Sequence, residues 1–472
     1  MSSTELVERL WEDDILPALT DYIAIPNVSP AYEADWVAKG HMADAVELVR
    51  AWCSARPIDG LTVDVHELEG RTPVVVVEVP ATGALSSSAV DDTVLLYGHL
   101  DKQPPMTGWL DGLAPWTAVR RDERLYGRGG ADDGYAAFAA LAAIQAVRAV
   151  GASHARCVLL IEASEESGSP DLPAHVEALA DRLGLPSLVV CLDSGCATFD
   201  RLWATTSLRG LTGVTVTVRV LEEGVHSGSA GGMVPSSFRL LRRLLDRIED
   251  AETGMLLLPE LHVDIPPDRV AELTATATEL GHSGGVFPMV KGMAPSHRGD
   301  PAAQLLARTW RPALAYVGCD GMPPTSEAGN VLRAFTTLGL SFRLPPTADP
   351  DTATAAIEKA LRTDPPYGAE VTVTPDHSAA GWAAPAFSPW LCAALDEASR
   401  AGWGKPFRTI GEGGSIPFMA MLGKRFPDAE FVVTGVLGPG TNAHGPNEYL
   451  HVPYATQLTA AVSSVLARHS TR

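Results

Sequence analysis

Basic charge is scarce in this chain of 472 residues: 36 Lys and Arg stand against 57 Asp and Glu, a formal net charge of −21. That balance disfavours nucleic acid and anionic membrane surfaces as partners, because both reward Lys and Arg. Cysteine is scarce as well. The six (Cys53, Cys157, Cys191, Cys196, Cys319 and Cys392) form no C-x-x-C pair and are too thinly spread for a disulfide scaffold. Reduced, mostly buried thiols are expected. No stretch approaches the roughly 18 uninterrupted apolar residues of a membrane span. The start, "MSSTELVERLWEDDILPAL", is acidic and amphipathic, without the basic n-region and apolar h-region of a signal peptide. A cytoplasmic protein is the simplest expectation. Internal repeats, low-complexity tracts and the H-E-x-x-H zinc motif are absent too.

What is present is a globular composition, 46% hydrophobic and 20% charged, on a chain too long for one ordinary core. Apolar residues at helical spacing predict helices over 4–25 and 40–55. Strands are then predicted at 72–79, 92–100, 156–163 and 187–193, alternating with helices at 132–150 and 172–183. Such alternation means an α/β domain with a mainly parallel sheet. Near residue 208 the pattern changes. Polar and apolar residues alternate at 211–220, 337–344 and 369–376, as in half-exposed antiparallel strands. Helices at 235–250 and 352–362 accompany them. The α/β pattern resumes after about 386, with helices at 388–400 and 453–468 and a strand at 430–436. The expected organisation is a catalytic α/β domain, 1–207 and 386–472, interrupted by an α+β domain at 208–385. The Pro/Gly-rich stretch 251–330 resists tracing.

The unusual residues sit at strand ends, where parallel sheets bind ligands. "LLYGHLDKQP" ends a strand with His99 and Asp101, two apart and so on one side of an extended chain. "GRGGADDGYAA" puts Asp132 and Asp133 at a helix start. "IEASEES" supplies Glu165 and Glu166, "VVCLDSG" ends in Asp193, and "GTNAHGPNEY" offers His444 in a Gly-rich loop. Carboxylates converging on one sheet edge repel one another unless a cation compensates them. His with carboxylates suits zinc or manganese. The count suits two ions, each with one His and one private carboxylate, sharing one Asp and leaving one Glu as a base.

These stretches, with "GVHSG" and "SFRLPP", resemble the M20 family of metallopeptidases, most closely its cytosolic nonspecific dipeptidase and carnosinase-like branch. They occur in the family's order and span residues 97 to 449. The resemblance implies a catalytic domain interrupted by a lid domain that also forms a homodimer. It implies that His99 and Asp193 hold one divalent ion, that Glu166 and His444 hold the other, and that Asp132 bridges them. Zinc is expected first, manganese second. Glu165 is implied as general base toward a water between the ions, and Asp101 as the residue orienting His99. His226 is implied as the oxyanion donor in the partner's active site. Arg343, Asn330, Gly413 and Ser415 match substrate-contacting positions, Arg343 suiting a substrate carboxylate. A cis peptide at Asp132–Asp133 is expected from the family. The substrate implied is a dipeptide or small peptide, since Asp193 stands where deacylase members commonly carry Glu. The alternative is an N-acyl amino acid amidohydrolase.

Three other readings are weaker. "GHSGG" (281–285) fits the G-x-S-x-G of serine hydrolases, but a helix pattern precedes it where a strand is needed. "GRGGADDG" lacks both G-x-G-x-x-G and the P-loop lysine of nucleotide sites. A non-enzymatic family member would have lost ligands, and every ligand position and Glu165 are present.

Overall fold

The structure is a computed structural model; it describes residues 2–83, 85, 92–282, 287 and 289–472. Its centre is a nine-stranded sheet. Eight strands lie in the order Thr62–His66, Val74–Val79, Arg156–Glu162, Thr93–His99, Pro186–Cys191, Glu430–Val433, Trp203–Leu208 and Trp382–Ala383; Arg408–Glu412 pairs beside Trp203–Leu208. Parallel pairing joins the four strands from Arg156–Glu162 to Glu430–Val433. The pairs on either flank are antiparallel, except that Arg408–Glu412 runs parallel to Trp203–Leu208. The sheet is therefore mixed, and its parallel part is the middle that carries the unusual residues.

The middle strands read as continuous apolar runs because both faces are covered. Val94, Leu96, Leu159, Ile161, Leu188 and Val190 pack with the helices Tyr135–Ala149 and Val452–His469. Their neighbours in sequence, Leu95, Tyr97, Val158, Leu160, Val189 and Cys191, face the other way, toward Leu172–Ala178 and Pro417–Arg425. Each buried Val or Leu contributes about 1.5–3 kcal/mol. The alanine-rich helix Tyr135–Ala149 lies close on the sheet because its residues are small. A Cβ on Gly98 would stand 2.6 Å from Ala136 Cβ and 2.8 Å from Asp133 Oδ2, so only glycine fits next to His99.

A four-stranded antiparallel sheet stands apart in sequence, in the order Ala313–Asp320, Phe335–Leu344, Gly210–Arg219 and Glu370–Ala379. Val214, Val216, Val218, Leu338 and Leu340 pack under the helices Ser237–Leu245 and Pro350–Arg362 in a core of their own. The stretch that resisted tracing holds two helices, Pro267–Leu280 and Pro301–Thr309, before the edge strand Ala313–Asp320. Leu273, Ala277, Leu305 and Trp310 from this stretch join the core of the large sheet. Ser283 of "GHSGG" lies outside the described residues; the helix Pro267–Leu280 precedes it. Among the described residues no helix is long and apolar enough to cross a membrane.

Candidate metal centre

Three adjacent parallel strands deliver the acids to one edge. His99 is the last residue of Thr93–His99 and lies opposite Glu162, the last residue of its neighbour. Glu165 and Glu166 follow in a single turn, Glu165–Ser167. Asp193 comes two residues after the strand Pro186–Cys191. Asp132 and Asp133 sit in the irregular turn before the alanine-rich helix, joined by a cis peptide as the family resemblance implied. His444 arrives from a loop far along the chain.

The ligand atoms fall into two groups that share Asp132. His99, Asp132 and Asp193 form one; Asp132, Glu166 and His444 form the other, and within each group the candidate atoms lie within 4.8 Å of one another. His99 Nε2 is 3.4 Å from Asp132 Oδ1 and 3.8 Å from Asp193 Oδ1. His444 Nε2 is 3.1 Å from Asp132 Oδ2 and 3.3 Å from Glu166 Oε2. His99 Nε2 and Glu166 Oε1 are buried and have no hydrogen-bond partner among the described residues. Two orphaned polar atoms aimed into a nest of carboxylates are what a cation site needs.

Electrostatics agree. Burial foremost, with neighbouring carboxylates adding, holds Glu165, Glu166, Asp133 and Asp193 well above the usual carboxylate range. Burial opposes the charged form of His444, but its bond to Asp132 and the charge of Glu166 carry it up to about 9. Without a cation the cluster can relax only by taking up protons. A divalent ion removes that penalty, and the donor set of imidazoles and carboxylates fits zinc or manganese.

Asp101 is buried completely, and its carboxylate lies between the strand ends. Its two oxygens accept the backbone N–H groups of Glu165 and Glu166, each at 3.0 Å. The ring Nδ1 of His99 is 3.1 Å from the backbone carbonyl of Asp101 and 3.5 Å from its carboxylate. One acid thus aligns both glutamates, a role the sequence did not suggest. Gln103, also missed, donates to Glu166 Oε2 at 2.6 Å; its only signal was its place in "YGHLDKQP", two residues past Asp101.

A cleft of about 220 Å³ opens beside the cluster, lined by Asp132, Glu165, Asp193, Glu412, Ser415 and His444 among others. Glu165 is partly exposed there. Arg343 donates to Ser415 Oγ at 3.2 Å, and Ser415 donates to the carbonyl of Arg209 at 2.5 Å. A Cβ on Gly413 would stand 3.2 Å from the Arg209 guanidinium. The structure therefore gathers Arg343, Gly413 and Ser415, and adds Arg209. Burial, then the charges of Arg343 and Arg308, lowers Arg209 to about 10. His226 and Asn330 come together elsewhere. His226 pairs with Val331 in a two-residue ribbon, and Ser227 N–H donates to Asn330 O at 2.9 Å. Both are exposed and neither lines the cleft.

The sequence profile of peptidase family M20/M25/M40 matches residues 95–468. The chain is 27% identical over 430 residues to a cysteinylglycine-S-conjugate dipeptidase of Corynebacterium striatum, covering 88% of this chain and 89% of that one. It is 28% identical over 279 residues to the Beta-Ala-His dipeptidase of Mus musculus, covering 56% and 54%. Among solved structures, human carnosine dipeptidase 1 superposes with a TM-score of 0.75 at 20% identity, covering 100% of this chain and 98% of that one. The dipeptidase Dug1p of Saccharomyces cerevisiae gives 0.74 at 20%, with the same coverage.

Proposed function

The chain belongs to peptidase family M20/M25/M40, and from that premise we propose that it cleaves the amide bond of dipeptides or small peptides at a centre of two divalent ions. The observation that carries the reading is the pair of His–carboxylate groups sharing buried Asp132. His99 and Asp193 would hold one ion, Glu166 and His444 the other, and Asp132 both. Bound there, such ions would supply Lewis acidity toward the amide carbonyl and would acidify a water so that it can give up a proton and attack near neutral pH. Zinc is the first choice and manganese the second.

Glu165 is the general base. Its carboxylate faces the cleft while Asp101 pins its N–H, so the side chain is free to take a proton from the attacking water and return it to the leaving amine. Glu166, by contrast, is tied to Gln103 and enclosed, as a ligand is. Arg343 and Ser415 bind the substrate carboxylate, with the Arg209 charge behind them. His226 and Asn330 neighbour each other yet lie off the cleft lining, which favours their acting on the partner's site in a homodimer. In that arrangement the lid and dimerisation domain lies within 208–385, between the catalytic halves 1–207 and 386–472, while Leu273, Ala277, Leu305 and Trp310 and the strand Trp382–Ala383 belong with the catalytic core. The dipeptidase names of the relatives support a dipeptide substrate.

The test is a screen of unblocked dipeptides against N-acyl amino acids, on protein stripped by chelation and reloaded with Zn²⁺ or Mn²⁺. Activity should vanish and return with about two ions per chain, with dipeptides preferred. Full activity in the stripped protein overturns the metal reading. Preference for N-acyl amino acids overturns the substrate reading.

A further inference from the structure

Two of the motif stretches contain charged residues that the chemistry above leaves unused: Arg128 in "GRGGADDG" and Glu448 in "NAHGPNEY". They are 1% and 0% exposed. Arg128 Nη1 donates to Glu448 Oε2 at 2.5 Å, across 320 residues of chain. Among the described residues the remaining side-chain bonds of the pair all go to backbone, most of it beside the metal groups. Arg128 Nη2 donates to the carbonyls of His444 at 3.1 Å and Gly445 at 2.8 Å, and Nε donates to that of Pro104 at 3.2 Å. The other oxygen of Glu448 accepts from the N–H groups of Gly129 at 2.9 Å and Ala131 at 3.4 Å.

This pair therefore grips both loops that meet at the second ion group. One oxygen of Glu448 holds the turn that presents Asp132. The guanidinium fork holds the loop that presents His444. The loop has an unusual backbone: Asn442, His444 and Asn447 all have positive φ, at 54°, 64° and 64°, a left-handed conformation uncommon outside glycine, though Asn and His adopt it more readily than most residues. The His444 side chain is 57% exposed, so packing does little to fix it. The first group shares Asp132, but its own two ligand candidates, His99 and Asp193, stand at and just past strand ends and owe the His444 loop nothing.

We propose that Arg128 and Glu448 are positioning residues for the second ion: they set His444 against Asp132 and Glu166, and the affinity of that group for a divalent ion depends on them. The inference rests on the two-ion reading above. Removing one member would leave a buried charge unpaired, so the informative change is Arg128→Lys. It keeps the charge for Glu448 but cannot span the carbonyls of His444 and Gly445 with a planar fork. Glu448→Gln is the second variant; it keeps the volume and an acceptor for Gly129 but leaves the Arg128 charge unpaired, so it is read only where the protein is shown to fold.

The experiment titrates metal-free protein with Co²⁺ and follows its visible absorption, which needs no substrate. Wild type should take up two ions. In Arg128→Lys one ion should bind within about threefold of wild type and the other roughly 10- to 100-fold more weakly, the usual cost of losing an outer partner of a ligand. Peptidase activity lost in the variant should return at high Co²⁺. Two outcomes overturn the proposal: both ions binding as in wild type, or both weakened alike in folded protein of either variant. Failure of both variants to fold, by near-ultraviolet circular dichroism, also overturns it in favour of a general structural strut. Wild type that takes no second ion sinks this proposal and the two-ion reading together. Wild type that takes both ions yet cleaves no dipeptide sinks only the substrate reading.

Discussion

Replacing Asp101 by Asn should cripple the enzyme while leaving its shape intact. The Asp101 carboxylate receives the N–H groups of Glu165 and Glu166 at 3.0 Å each, in a site closed to water. A hydrogen bond to a charged group contributes about 1.5–3 kcal/mol. Asn has nearly the same volume but only one acceptor oxygen. At least one of the two bonds is lost, and an amide N–H is turned against a backbone N–H that has nowhere else to go. If that loss of about 1.5–3 kcal/mol is felt as misplacement of the glutamates in the transition state, kcat/KM falls roughly 10- to 150-fold. Asp101→Ala removes both acceptors, and the same reasoning gives about 10² to 10⁴. Initial rates on a cleavable dipeptide at saturating metal would measure this, with near-ultraviolet circular dichroism to confirm folding. If Asp101 acted on His99 alone, the deficit would follow the first ion and high metal would repair it. A folded Asp101→Asn enzyme within threefold of wild type, or one restored by metal, would refute the shared-cradle argument.

Glu165→Gln should retain its metal and lose about 10²- to 10⁴-fold in kcat, whereas Glu166→Gln should lose metal by elemental analysis; near-normal turnover of Glu165→Gln would reverse the assignment. Mixing His226→Ala with Glu165→Gln under conditions of subunit exchange should restore up to about a quarter of wild-type activity, since half of the dimers then carry one intact composite site; no recovery places His226 in its own chain's site or outside the reaction. Stability should fall between about pH 6.5 and 4 because of His469, which is fully buried against Ser187 and lowered to about 4 by burial and the Arg472 charge. The folded form binds this proton less readily than the unfolded chain, so the contribution is whole above pH 6.5 and lost on acidification, about 3 kcal/mol in all. Urea midpoints at pH 7.5 and 5 should therefore converge in His469→Gln; an unchanged pH dependence would remove His469 from the account.

The strand ends were legible because two signals coincide there. "TVLLYGH" and "RCVLLIE" are apolar runs that stop at an acid or histidine, and in the folded chain they lie parallel and in register, Tyr97 opposite Leu160 and His99 opposite Glu162. Parallel strands that begin together end together, so His99, Glu165, Glu166 and Asp193 had to share an edge. Less legible were elements without an apolar signature. Trp203–Leu208, "WATTSL", is buried at every position yet half its residues carry hydroxyls. Thr205 bonds to Ser194 Oγ at 2.8 Å and Thr206 to Glu272 at 2.6 Å, partners supplied only by the finished fold. The edge strand Ala313–Asp320 failed for the opposite reason: exposed over most of its length, it keeps no inward–outward alternation to read.

The deepest omission follows from how charge is read in a sequence. Arg, Lys, Asp and Glu are assigned to the surface because burying them without partners is prohibitive. Around this centre the partners exist, but they come from distant segments. Arg128 meets Glu448 across 320 residues, and Lys102, fully buried, places its ammonium 2.7 Å from the carbonyls of both Tyr22 and Ile25. Asp101 is satisfied by the backbone of Glu165 and Glu166, which no pattern of side chains can reveal. The ligand candidates announce themselves because an ion demands particular residue types at strand ends. The groups that aim them do not, because a carbonyl or an N–H has no letter in the sequence. The candidate metal centre could therefore be read as a list of ligand candidates, while its alignment, in which Asp101 accepts from the backbone of two glutamates and Arg128 with Glu448 bonds the backbone of the His444 loop and the turn before Asp132, belongs to the folded chain.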